Sequence, residues 1–352
     1  MRIQRHIPNF FSQEATVEKG KIKLENINNT LTFSDPISQG LYWGFFTLVM
    51  VTCILIYIFR RIIYENYQNR LKIMGMKKSV FWMIFGIISL VAIILRSWMV
   101  ILTNYPNKWE SLPLHFCRLM LVFIALCATF GKLGWIKFYG PLAITGAILA
   151  IIVPGVYKTI GPDNFWFYDY ILAHGYILIT VPLYYAFVRT KYTFQDTIVT
   201  IIFFFLLCLL IWTINLLTIT FSGDEMWKSN YFYLGKDDYN EMYKLLGPIV
   251  KWPYNLFVFT LLGILVLTIW IILWCWLDKY HIEKVDGKIK AFTTKSEVWR
   301  IYKASFKTCF KKPRSNNDNT PEHQLMMLLK WIKYFHKIII IFNFNVILYS
   351  YI

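Results

Sequence analysis

Seven apolar stretches, Leu41 to Phe59, Val80 to Leu102, Pro113 to Phe130, Trp135 to Val153, Tyr170 to Val188, Thr197 to Phe221 and Tyr254 to Leu277, are each long enough to cross a ~30 Å hydrocarbon layer as a helix. In such a medium every backbone amide must be bonded inside the chain, which a helix achieves within a single segment. The expected fold class is therefore all-α, a polytopic membrane bundle of seven transmembrane helices. Composition agrees, because 57% hydrophobic residues, 16% charged residues and a mean hydropathy of +0.46 exceed what one soluble core could hide. Phe, Tyr, Ile, Lys and Asn are all abundant, so single aromatics carry little information.

Charge placement suggests an orientation. The link after the first span holds Arg60, Arg61, Arg70, Lys72, Lys77 and Lys78 against one acid, Glu65. Lys132 and Lys137 follow the third span, Arg189 and Lys191 the fifth, and lysines crowd the segment after the seventh. The intervening links are acidic or mixed, with Asp224, Glu225, Asp237, Asp238 and Glu241 in the longest. By the positive-inside rule the N-terminus lies outside and the C-terminus in the cytoplasm of a multi-pass protein of the cell membrane. Three regions are expected: a polar extracytoplasmic arm over 1–39, the membrane domain over 40–277, and a basic cytoplasmic tail over 278–352. The polar arm argues against a cleavable signal. Ile338 to Ile352 is short for a crossing and suits an interfacial helix, an eighth crossing being the alternative. The net charge of +17 then falls on anionic inner-leaflet lipids, and no nucleic-acid partner is expected.

Several features are structural in character. Five of the six cysteines (Cys53, Cys117, Cys127, Cys208 and Cys275) lie inside spans and Cys309 lies in the tail, so no disulfide framework is expected. With no CxxC or HExxH spacing, neither a metal nor a cofactor is expected. Gly140, Ala143, Ala147 and Ala150 make a small-residue face for close helix approach. Pro141, Pro154 and Pro182 read as lying near segment ends, where a missing amide costs little.

Ionisable residues inside spans are costly and point to a site. The run Leu112-Pro113-Leu114-His115-Phe116-Cys117-Arg118 brings a histidine, a thiol and a guanidinium together at the start of the third span. Arg96 lies about 10 Å from the end of the second span, and Cys117 and His174 lie roughly 7 Å inside the third and fifth, so all share one level of the bundle. Arg118 could snorkel, whereas Arg96 should face the interior and meet an anion: Asp169, a lipid phosphate or a substrate carboxylate. In a regular helix His115 shares a face with Arg118 and is a poor base for Cys117, leaving His174 as the better partner. The helix dipole should help little at residue 117 if the helix begins near Pro113.

The segment Leu112 to Cys117, with Ala173-His174-Gly175 in a later span, resembles the YwaF and transmembrane-protein-164 family of seven-helix membrane proteins. Asn230-Tyr231 with Leu234, Gly247-Pro248, and Trp252-Pro253-Tyr254 are similar to the same pattern, and the likeness covers about Leu41 to Leu277. The resemblance implies an acyltransferase that moves fatty acyl groups onto lysophospholipids, with Cys117 as nucleophile and His174 as its partner. A more distant likeness to androgen-induced hydrolases of fatty-acid esters, which use threonine instead, keeps acyl-ester hydrolysis in view. Asn230, Trp252 and Tyr254 enter as substrate-binding residues on this resemblance.

The mechanism expected is attack by the Cys117 thiolate on an acyl ester, with His174 as base, followed by transfer to a lipid hydroxyl or water. Arg96 or Arg118 would hold the headgroup phosphate of a phospholipid or lysophospholipid, and His115 would donate to the developing oxyanion. The alternative is a transporter or binding protein for an anionic solute or lipid, with the Arg/His cluster as its binding site.

Overall fold

The computed structural model describes residues 9–11, 14–18, 21–25, 31–103, 105, 107–154, 160–236 and 241–309. Asp237, Asp238 and the run Ile338 to Ile352 lie outside the described residues. Two compact units are separated, Met1–Ser305 and Phe306–Ile352. An antiparallel pair, β1 (Glu14–Glu18) with β2 (Lys21–Glu25), precedes the bundle. The helices follow as α1 (Pro36–Asn69), α2 (Lys78–Leu102), α3 (Phe116–Thr129), α4 (Ile136–Ile152), α5 (Phe165–Val188), α6 (Phe194–Phe221), the short α7 (Glu241–Leu246) and α8 (Asn255–Leu277). Together with the 3-10 turns that lead into α3 and α4, seven of these segments are long and apolar enough to cross a membrane, as the hydropathy pattern predicts.

Burial divides the bundle. The apolar stretches of α3, α4 and α5 are half or more covered by other protein, while those of α1, α2, α6 and α8 leave most of their surface outward. Helices apolar on every face suit an outer layer against hydrocarbon around a protein-packed centre. α5 is the hub, packing on α1, α4 and α3, and α2 lies along α3. The small-residue face of α4 is used, with Gly140, Ala143 and Ala147 buried. Its closest approach comes at a glycine outside that set. A Cβ on Gly146 would stand 2.3 Å from the ring of Phe116, so only glycine lets that ring pack at the start of α3.

Pro141 and Pro182 lie inside α4 and α5, not near the ends of their segments. Each removes the amide that would bond the carbonyl four residues earlier, and in hydrocarbon that oxygen needs another donor. Both donors come from side chains elsewhere in the chain. The Tyr192 hydroxyl donates to the Lys137 carbonyl at 3.1 Å, and the Cys53 thiol donates to the Leu178 carbonyl at 2.9 Å. Tyr192→Phe is expected to lower stability by about 1–3 kcal/mol, because it orphans that carbonyl and removes the Tyr185–Tyr192 hydroxyl pair. An unfolding midpoint in detergent equal to the wild type would show that the carbonyl finds water instead.

At the opposite end from Pro36, α1 is longer than its apolar stretch suggests. Its 34 residues span about 51 Å, so Arg60 and Arg61 stand on a continuing helix where the sequence suggests a link. After α1 comes a two-residue hairpin, β3 (Lys72–Ile73) with β4 (Met76–Lys77), whose turn places both Met74 and Gly75 at positive φ. Beyond α8 the chain forms an antiparallel hairpin, β5 (Tyr280–Val285) with β6 (Lys288–Thr293), and then α9 (Glu297–Cys309). Arg60 donates to the Asp278 and Tyr280 carbonyls at 2.9 and 2.7 Å, and Arg61 pairs with Glu283. The hydrogen bond from Arg61 holds the Glu283 carboxyl below the usual carboxylate range. The first part of the region read as a basic tail thus folds onto the end of α1.

Candidate functional site

Helix α3 begins later than the apolar run suggests. His115, at φ −61° and ψ 143°, is extended backbone at the N-cap, and Phe116, Cys117 and Arg118 form the first helical turn. This corrects two expectations. His115 and Arg118 do not share a helix face, because His115 is not in the helix. Cys117 sits at the second helical position, where first-turn amides lack intrahelical acceptors and the helix dipole favours negative charge.

Around this turn the inferred common level is realised by ion pairs. The Nε of Arg96 lies 3.3 Å from Asp169 Oδ2, and its terminal nitrogen lies 2.8 Å from Glu110 Oε2. A further nitrogen of Arg96 donates to the Glu110 carbonyl. Arg118 pairs with the same Asp169 oxygen. Two guanidinium groups from α2 and α3 thus meet two carboxylates, one on α5 and one in the 3-10 turn Lys108–Ser111. The Arg96 guanidinium also lies over the rings of Trp166 and Tyr105 at 5.4 and 5.9 Å, and the Tyr105 hydroxyl reaches Glu110 at 3.3 Å.

Asp169, one of the anions anticipated for Arg96, is its partner; Glu110 was not singled out by the sequence. Arg96 spends donors on three acceptors and is 8% exposed. Arg118 makes one hydrogen bond among the described residues, so of the two guanidinium groups it has more donors left for a phosphate.

His174 is buried on α5, within electrostatic range of Arg118, His115 and Asp169. Its Nδ1 lies 2.7 Å from the Tyr170 carbonyl oxygen. That oxygen can only accept, so Nδ1 carries the proton and Nε2 is left as the basic nitrogen. The Tyr170 ring packs 4.3 Å from the imidazole and its hydroxyl donates to the Ala150 carbonyl on α4 at 2.6 Å, which fixes the ring orientation. Gly175 admits α1: a Cβ there would stand 2.7 Å from the ring of Phe45. Cys117 is itself buried, with Arg118 as its nearest charge influence.

A loop between α6 and α8 covers the start of α3. The Tyr231 hydroxyl donates to the Trp109 carbonyl, the Phe232 ring meets Phe116 edge-on at 4.9 Å, and the Tyr233 ring meets His115 edge-on at 5.7 Å. His115 also stacks against Trp109 at 6.2 Å. Phe232 and Tyr233 have φ of 59° and 58°, a left-handed conformation that bulky residues hold only under outside constraint. The constraint is a pair of buried asparagines. Asn215 of α6 donates to the Tyr231 carbonyl and accepts from the Tyr231 amide, both at 2.9 Å, and accepts from the Ser229 hydroxyl at 2.8 Å. Asn255, at the start of α8, donates to the Gly235 carbonyl at 3.0 Å.

The residues expected from the sequence therefore separate. Cys117, Arg118 and His115 are adjacent at the start of α3, and Arg96 and His174 join them through Asp169 and electrostatic proximity. Asn230 is buried in the covering loop, where its side-chain oxygen accepts from the Gly235 amide at 2.9 Å. Trp252 stacks on Trp212 of α6 at 6.0 Å, and Tyr254 is 64% exposed at the start of α8. Asn215 was missed, though a lone asparagine in an apolar span is a recognisable signal of an interhelical or loop contact. Among the described residues no group of three or more His, Cys, Asp or Glu is placed to hold a metal.

A family model described as the TMEM164 family matches residues 35–272, about two-thirds of the chain and all of the elements that build this site. No curated protein and no solved structure matches.

Proposed function

Since the chain belongs to the TMEM164 family, we propose that this multi-pass membrane protein is a lipid acyltransferase that works through an acyl-cysteine on Cys117. The observation that carries the reading is a thiol in the first turn of α3 next to Arg118, together with an α5 imidazole in electrostatic range of that same Arg118, whose Nδ1 is tied to Tyr170, leaving Nε2 basic. His174 Nε2 takes the proton from Cys117, and the sulfur attacks the acyl carbonyl of a phospholipid ester. The C–O bond breaks, and the lysolipid alkoxide leaves with the proton from His174. A second lipid hydroxyl then attacks the thioester, His174 again removing its proton, and the thiol is regenerated. First-turn amides of α3, with His115 beside them, supply donors for the oxyanion, and Arg118 supplies donors for the headgroup phosphate. Water in place of the second lipid makes the same site an acyl-ester hydrolase.

Intact-protein mass spectrometry after incubation with mixed phospholipids tests the reading. A hydroxylamine-labile adduct of fatty-acyl mass is expected on the wild type and mapped to Cys117. In His174→Gln its rate of appearance should fall by about 100-fold or more, the scale of a general base. An adduct that forms as fast in folded His174→Gln as in the wild type removes His174 from the mechanism.

A further inference from the structure

A second polar site lies at the far end of α1 and α5, about 16 Å along α5 from His174 by the rise between residues 174 and 185. There an open cleft is lined by Tyr57, Arg60 and Arg61 of α1, Arg189 and Thr190 after α5, and Trp274 of α8.

Its donors outnumber its acceptors. Tyr57 Oη, Arg61 Nε and Thr190 Oγ1 are buried, and none has a hydrogen-bond partner among the described residues. Buried donors are almost always bonded, and three orphans lie on residues that line this one cleft. Arg189 adds a guanidinium whose ion pair to Glu297, at 3.9 Å, is beyond hydrogen-bond reach. The one carboxylate in the lining, Asp278, is already engaged by Arg60 at 3.3 Å and by the Ser296 hydroxyl at 3.4 Å. Arg189 is also held in the left-handed region, at φ 43°, as it ends α5. A non-glycine residue kept in that conformation at the mouth of a cleft is the kind of stored strain that clusters at binding sites.

An occupant must bring several acceptor oxygens and negative charge, and it must fit between planar guanidinium groups. A phosphate group has that chemistry. We propose that this cleft binds a phosphate group, separate from the acyl-transfer site and independent of that reading. The same oxygens come from two sources, a phosphomonoester lipid headgroup at the membrane boundary or free phosphate in solution.

The unfolding midpoint of the full-length chain in nanodiscs decides the matter. One arm titrates inorganic phosphate against chloride at matched ionic strength into discs of phosphatidylcholine. The other replaces part of the phosphatidylcholine by phosphatidic acid. A saturable rise in the first arm assigns free phosphate, and a rise confined to the second assigns the lipid headgroup. Tyr57→Phe with Thr190→Val removes two donors and little volume, and should raise the half-saturating concentration by about ten-fold or more. Arg189→Gln, at a side chain 43% exposed and so unlike the buried pair in its demands on folding, should do the same. No rise in either arm above the chloride control, or wild-type saturation in the folded variants, overturns the proposal.

Discussion

Cys117→Ala is expected to reduce acyl transfer by ~1000-fold or more while leaving the unfolding midpoint close to that of the wild type. The two halves of this expectation rest on different observations. Loss of activity follows from the proposed covalent step, which has no substitute once the sulfur is gone. Preservation of the fold follows from size, since a buried cysteine behaves as a small apolar side chain and alanine removes one heavy atom from it. Cys127→Ala, deeper on the same helix and more fully buried, is the control and should retain activity. Transfer of a labelled acyl chain between phospholipid and lysophospholipid in nanodiscs supplies the readout. Turnover within a few-fold of the wild type in folded Cys117→Ala refutes the nucleophile assignment. A binding or transport role would then be tested with Arg118→Gln, at the guanidinium with more donors left, which should abolish retention of an anionic ligand in the folded variant.

Asp169→Asn is expected to cost about 3–5 kcal/mol of stability, more than any single change elsewhere in the site. The carboxylate is shared by Arg96 and Arg118, and all three side chains are at most 16% exposed. Asparagine keeps the shape and removes the charge, so Arg118 loses its ion-pair partner while Arg96 retains Glu110. The effect should be visible as a large fall in unfolding midpoint in detergent. Adding Arg118→Met to Asp169→Asn should recover part of the loss, because removing the stranded charge relieves the penalty that breaking the pair creates. A loss under about 0.5 kcal/mol in the single variant would mean that water solvates the cluster and that the pairs count no more than surface ones.

These expectations draw unequally on sequence and structure. That Arg96, Cys117, Arg118 and His174 occupy one level of the bundle is legible from residue spacing alone, because helix rise converts position along a span directly into depth. Asp169 is legible for the same reason as one of three candidate anions for Arg96, and the structure makes it the partner. Glu110 is not, since it stands in a connecting turn where no periodicity says which way a side chain points. The covering of His115 by Tyr233, and of Phe116 by Phe232, is equally silent in the sequence. It depends on left-handed residues braced by Asn215 and Asn255, which come from helices far away in the chain.

By itself the sequence determined the all-α class, the seven apolar spans and the level at which the ionisable residues gather. Hydrocarbon thickness and backbone hydrogen bonding leave a chain of this hydropathy no other solution. Only the tertiary structure decided where α3 begins, and so whether residue 117 lies in a first turn or a second. Only it decided which side chains answer the carbonyls freed by Pro141 and Pro182, and that Arg96 spends three of its five donors on Asp169 and Glu110 while Arg118 spends one. The physical reason is that helix spans follow from local polarity summed over many residues, whereas a cap, an orphan carbonyl or a shared carboxylate is settled by one partner whose distance along the chain carries no local signal.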